Sequence, residues 1–172
     1  VDAEGPPNDV TRPRDEDLAG VVRRFLARLA EDPFLVLRVS DEGTGGYVEV
    51  LNHDLRHDER DEEQGIVFAV DGVPVVRTPT WDLEMSFLWP VEPEPEPVAA
   101  FAPVARRLGF PPPRVRRGDV VLMHESYPTV PRAWRSVQGL DAEAIARLCL
   151  DVLRDVFGRG PSHRLRASVG YE

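Results

Sequence analysis

The chain has 172 residues, 42% of them hydrophobic and 30% charged, which is enough for one domain with a real core. No apolar run approaches the ~20 residues that span a bilayer. The net charge of −9 argues against general nucleic-acid binding, which needs a basic surface to neutralise phosphates.

Residues 1–14 are acidic and proline-rich with few large apolar groups. They read as a disordered tail, and as neither a signal peptide nor a basic transit peptide. A single α+β domain is expected over 15–170. Its first helix should begin near Asp15, because Asp15, Glu16 and Asp17 suit a helix N-terminus. Leu18, Val21, Val22, Phe25, Leu26 and Leu29 then recur at helical spacing and form one apolar face. Asp32-Pro33 ends the helix, since the residue before proline avoids the α region.

Two β-rich runs, 34–40 and 47–52, flank the Gly-rich connector DEGTGG and predict a hairpin. The charged stretch 54–64 reads as a loop. A second hairpin is expected from 65–70 and 73–78, joined by Asp71-Gly72. The stretch Thr80–Val91 then places Trp81, Leu83, Met85, Phe87, Trp89 and Val91 at every second position, with mostly polar residues between. Alternate side chains of a strand point to opposite faces, so one face of this strand carries an unbroken apolar stripe that needs a helix layer to cover it.

EPEPEP (92–97) reads as a stiff acidic connector. A short helix follows, with Pro103 in its first turn and Gly109 just past its end, before Pro111–Pro113. Arg106, Arg107, Arg114, Arg116 and Arg117 cluster here and read as a solvated helix end. Strands are expected over 119–126 and 132–138. Asp141 caps the last helix, along which Ile145, Leu148, Cys149, Val152, Leu153 and Val156 form an apolar stripe, and Gly158 closes it. Residues 163–169 read as a final strand or a tail. The fold class is therefore α+β: an antiparallel sheet with helices packed on one side, in the order α-β-strands-α-ββ-α.

The basic residues are all arginine and the only isoleucines are Ile66 and Ile145, which reads as GC-rich codon usage rather than chemistry. The lone cysteine, Cys149, excludes an internal disulfide and a cysteine-based zinc site, and fits a cytoplasmic protein. On the apolar face of its helix it reads as a small hydrophobe. His53-Asp54 and His57-Asp58 form an HDxxHD pattern whose histidines would share a helix face and could hold a metal. The segment has no apolar periodicity, so a solvated loop is the better reading and no metal or other cofactor is expected. His124-Glu125 ends a strand with no evident partner. No serine lies in a G-x-S-x-G elbow, and GTGG lacks the lysine and helix of a phosphate loop.

ARRLGFPPP (105–113), and ARLCLDVLRDVFG followed by RGPSHRL (146–165), resemble the YbjN-like and type III secretion chaperone-like superfamily, whose actinobacterial members carry similar turns after the middle and last helices. The resemblance implies an α+β fold, no enzymatic activity, and homodimers that hold extended segments of partner proteins. On that basis the chain is expected to be a cytoplasmic, non-enzymatic module binding a protein or peptide client, with no nucleic-acid or membrane partner. Trp81, Met85, Phe87 and Trp89 are the candidate peptide-binding residues. A homodimer interface is expected at Val98, Phe101, Val104, Leu108 and Phe110. The alternatives are a small metal-dependent enzyme using His53, His57 and nearby carboxylates, or an acidic immunity or adaptor protein that meets a basic partner.

Overall fold

The computed structural model describes residues 9–54, 69–70, 73–74, 81–88, 103–110, 115–116, 119–120, 123–124 and 127–171. In chain order these form strand β1 (Asp9–Thr11), a 3-10 turn (Asp15–Asp17), helix α1 (Leu18–Leu29), β2 (Val36–Asp41), β3 (Tyr47–Asp54), β4 (Ala69–Val70), β5 (Val73–Pro74) and β6 (Trp81–Leu88). A helical turn α2 at 103–107 follows. Next come β7 (Val115–Arg116), β8 (Asp119–Val120), β9 (Met123–His124), β10 (Tyr127–Ser136), helix α3 (Ala142–Asp155) and β11 (Leu165–Gly170). The main sheet has seven strands in the order β1-β11-β2-β3-β6-β10-β9, and every pairing is antiparallel. The fold is α+β, as the alternation of strand runs and helices implies.

Register and period together decide what is buried. Leu37 of β2 stands opposite Val50 of β3, which stands opposite Met85 of β6, and on the other side Leu37 faces Val169 of β11. All four are buried, forming one row of an apolar face. Helices α1 and α3 cover that face with Val22, Phe25, Ile145, Cys149, Val152 and Leu153. Each such side chain contributes about 1.5–3 kcal/mol when withdrawn from water. The stripe read in Trp81–Val91 is therefore core at Leu83, Met85 and Phe87.

Helix ends follow local chemistry. Asp141 is extended, and its carboxylate accepts the Ala144 N–H at 2.8 Å, which satisfies an otherwise orphaned donor of α3. After α2, Gly109 adopts φ 77°, a region open to glycine without strain. Its N–H reaches the Arg106 carbonyl at 3.1 Å, while Phe110 N–H reaches Ala105 O at 2.8 Å. This paired closure sends Phe110 back into the core, edge-on to Phe87 at 4.9 Å between ring centres. The Leu-Gly-Phe turn is thus a packing device.

Three expectations change. The tail is shorter than 1–14, because Asp9–Thr11 pairs with β11, and Arg28 holds Asp9 at 2.9 Å; residues 1–8 lie outside the described residues. The run 119–126 is not one strand: its beginning pairs back on β7 and its later part pairs with β10. Strand β10 starts at Tyr127, ahead of 132, with Pro131 at a register shift against β9, the kind of irregular position where a strand tolerates proline. Of the two readings of 163–169, strand and tail, the strand holds, at Leu165–Gly170. These residues lie between β1 and β2 in the sheet. The Asp71-Gly72 hairpin agrees with the pairing of β4 and β5, whereas 55–64 and EPEPEP lie outside the described residues.

Candidate functional site

The residues expected to form a peptide groove divide between core and surface. Met85 and Phe87 are buried within this chain and cannot line a groove; Trp89 lies outside the described residues. Trp81 differs. It begins β6 beyond the last covered row, is only partly buried, and meets Phe34 edge-on at 5.9 Å between ring centres. The expected dimer surface is corrected in the same way. Leu108 and Phe110 belong to the core, Val104 packs half-buried against it, and Val98 and Phe101 lie outside the described residues. The surplus apolar area on which that interface rested is consumed inside one chain at Leu108 and Phe110.

A different apolar surface stands at the end of the sheet where β2, β6 and α3 begin and β3, β10 and β11 end. Phe34 is 68% exposed, Tyr171 45% and Leu140 37%, and Trp81 sits among them. Asp32 organises this end. One carboxylate oxygen accepts the Phe34 N–H at 3.2 Å and the other accepts the Tyr171 hydroxyl. That hydrogen bond, with the negative charge behind it, raises the Tyr171 pKa above the usual phenol range. Phe34 and Tyr171 were not among the residues singled out from the sequence. Phe34 follows Asp32-Pro33 at a helix end, and that turn carries it out of the strand pattern that follows.

At the opposite end lies the best-built polar cluster. Asp41 ends β2 and is fully buried. One of its oxygens accepts Gly43 N–H at 3.0 Å, and the other accepts Thr44 N–H at 3.2 Å and the Thr44 hydroxyl at 2.7 Å. His163 Nδ1 stands 3.1 Å from the same oxygen and 3.2 Å from the Gly160 nitrogen. One ring nitrogen either donates to Asp41 or accepts from Gly160, so the tautomer selects the partner. Burial pulls the Asp41 carboxyl upward, but the hydrogen bonds from Thr44, Gly43 and His163 outweigh it and hold the carboxyl below the usual carboxylate range. Arg159 grips Asp15 through two hydrogen bonds, at 3.0 and 2.8 Å, and the His163 carbonyl at 2.9 Å. Hydrogen bonding to Arg159 lowers the Asp15 pKa.

This cluster contains an acid and a histidine but presents no nucleophile. The Thr44 hydroxyl is spent on Asp41 and accepts Gly46 N–H at 3.2 Å. The imidazole packs on Gly43, where a Cβ would collide with the ring. The arrangement closes the DEGTGG turn and ties it to the start of β11. The surface hollow beside it, about 510 Å³, is lined by Arg12, Arg14, Arg159 and His163. Arg12 is paired with Glu42 at 2.8 Å and Arg159 with Asp15.

His53 lies on β3 opposite Asp82 of β6, on a strand, so a helical pairing with a residue four positions on does not arise; His57 and Asp58 lie outside the described residues. Among the described residues, no three His, Cys, Asp or Glu side chains converge closely enough to hold a metal. His124 is on β9 and Glu125 lies outside the described residues. Cys149 is buried in the helix–sheet core, and burial pushes its thiol up to about 12. Of the arginine cluster, Arg107 pairs with Asp155 at 3.1 Å, while Arg114 and Arg117 lie outside the described residues. No described helix is long and apolar enough to cross a membrane. No family model, no curated protein and no solved structure matches this chain.

Proposed function

We propose that the chain is a non-enzymatic protein-binding module that engages a partner segment at the apolar end of its sheet, through Phe34, Trp81, Leu140 and Tyr171. The observation that carries this reading is Phe34, a phenylalanine left 68% in water and standing edge-on to a tryptophan. Single exposed apolar residues are common, but aromatic groups gathered at one place are what anchors an interface. Burying Phe34 against a partner would recover about 1.5–3 kcal/mol that folding leaves unused.

The resemblance of ARRLGFPPP and the α3 ending to chaperone-like proteins that hold extended segments agrees with this reading. A second copy of the chain is not required by it. Selection from a random-peptide display library tests it. Wild-type protein should enrich apolar-containing peptides that Phe34→Ser, folded as judged by circular dichroism, no longer retains. Enrichment unaffected by Phe34→Ser, or none at all, would remove the apolar end as a binding site.

A further inference from the structure

At the end of the sheet opposite Phe34, arginines from separate parts of the chain line the hollow of about 510 Å³ beside the Asp41 cluster. Arg12 follows β1, Arg14 precedes the 3-10 turn, Arg159 follows α3 and Arg164 precedes β11. Backbone bonds fix these positions. Gly158 adopts φ 74° and the Arg159 N–H reaches the Leu153 carbonyl at 3.0 Å, which closes α3 and turns the chain toward β11. The Arg14 backbone is extended, and its carbonyl accepts the Asp17 N–H at 3.0 Å. The Arg164 carbonyl accepts the Glu42 N–H at 2.9 Å, and the Glu42 carboxylate in turn holds Arg12.

These arginines differ in how far their donors are spent. Arg159 is the fixed one. Its side chain is only 10% exposed, and both terminal nitrogens are committed, to Asp15 and to the His163 carbonyl. Its Nε is the one buried side-chain polar atom without a hydrogen-bond partner among the described residues. The other three keep donors in hand. Arg12 bonds Glu42 through Nε alone, which leaves its two terminal nitrogens. Arg14 stands 4.0 Å from Glu16, beyond hydrogen-bond length. Arg164 has no ion pair among the described residues. Asp15 and Glu16 line the hollow and Glu42 stands beside it, so four guanidinium groups meet three carboxylates on a chain whose overall charge is −9. The sign of the charge reverses here.

We propose that this hollow binds the phosphate group of a small organic molecule. A guanidinium presents paired N–H donors that match two phosphate oxygens, and the unspent donors of Arg12, Arg14 and Arg164 come from three separate segments. A phosphate monoester suits such a set better than a carboxylate, because it offers three terminal acceptor oxygens and more negative charge. Arg159, locked to Asp15, supplies a rigid wall. Pro13 and Pro161 line the same hollow and give the organic part of an ester a surface to rest on. The volume of about 510 Å³ suits a small molecule. This site is separate from the apolar end and does not depend on what binds there.

NMR of 15N-labelled protein, which resolves arginine Nε–Hε groups, tests the proposal by titration with phenyl phosphate at constant ionic strength. The signals of Arg12, Arg14, Arg159 and Arg164 should shift together and saturate with a Kd on the order of 1 mM, as suits partly exposed charge pairs. Arg14→Ala and Arg164→Ala, both at exposed positions, should each weaken binding about threefold to fivefold. Arg154→Ala, an exposed arginine on α3, should leave binding unchanged. Shifts that grow without saturating up to about 20 mM, twenty times the expected Kd, would overturn the proposal. So would an Arg154→Ala variant weakened as much as Arg164→Ala, since phosphate would then be meeting surface arginines at large. A phosphoserine hexapeptide that binds at least tenfold tighter than phenyl phosphate would overturn the small-molecule assignment in favour of a phosphorylated protein.

Discussion

Replacing Asp41 with alanine tests whether one buried carboxylate holds the β2–β3 turn. In the tautomer that carries the proton on His163 Nδ1, four donors converge on it: Gly43 N–H, Thr44 N–H, the Thr44 hydroxyl and His163 Nδ1, at 2.7 to 3.2 Å. At ~1.5–3 kcal/mol for each hydrogen bond to a charged group, the gross loss would be about 6–12 kcal/mol. Much of that returns, since Gly43 and Thr44 are exposed and their N–H groups recover water, and removing a buried carboxylate cancels its own desolvation cost. The expected net loss is about 3 kcal/mol, or roughly 6–12 °C in Tm for a domain of this size. Urea denaturation followed by circular dichroism measures it, and a pH series supplies the sign. The folded carboxyl titrates below the usual carboxylate range. Its stabilisation is therefore complete above the unfolded pKa of ~3.9 and disappears as pH falls through the lower folded value. The gap between wild type and Asp41→Ala should be full at about pH 5 and shrink toward pH 2.5, by the linkage just described. A gap below about 1 kcal/mol at pH 5, or one that widens on acidification, would refute the assignment of charge-assisted bonds to Asp41.

Leu153→Asp should unfold the domain while Arg154→Asp leaves a folded protein, because Leu153 is fully buried and Arg154 is exposed; equal melting temperatures would show that the buried face of α3 is misassigned. Gly46→Ala should cost about 1–3 kcal/mol, since a Cβ there collides with the Phe157 ring, which packs on Phe87 at 6.1 Å; a melting temperature within error of wild type would show that Phe157 moves aside freely. Cys149 should resist a thiol reagent in native buffer and react in urea, because burial holds its pKa near 12; rapid native labelling would mean that α3 opens readily.

The fold was legible where one period ran unopposed. Leu18–Leu29 and Ala142–Asp155 have apolar residues at helical spacing, and Trp81, Leu83, Met85 and Phe87 alternate, so element type and buried face followed directly. Strand neighbours did not follow. Leu165–Gly170 has the right alternation, but nothing local says that it enters between β1 and β2, more than a hundred residues away in the chain. Such pairing is fixed by the whole sheet, through the match of Ala167 to Val39 and Val169 to Leu37, each buried at its own position. Asp41 was hidden for a related reason. Its role depends on a histidine 122 positions away that packs on Gly43.

The apolar end was the least legible part, and the reason lies in how the core is assembled. An apolar stripe on a strand looks the same in sequence whether it is covered by helices or left for a partner. What separates the two is how far the helix layer reaches along the strand. Met85 and Phe87 are buried, Phe87 against Phe110 and Phe157, so they are core; Trp81, at the start of the same stripe, is only partly covered. Phe34 and Tyr171 sit just outside the strands whose alternation would have assigned them a face, in a turn after proline and at the chain's last described residue. Residues at such margins are governed by where the covering layer stops. Binding surfaces built from core-type residues should therefore be sought at the ends of stripes rather than at their centres, where packing has already claimed the side chains.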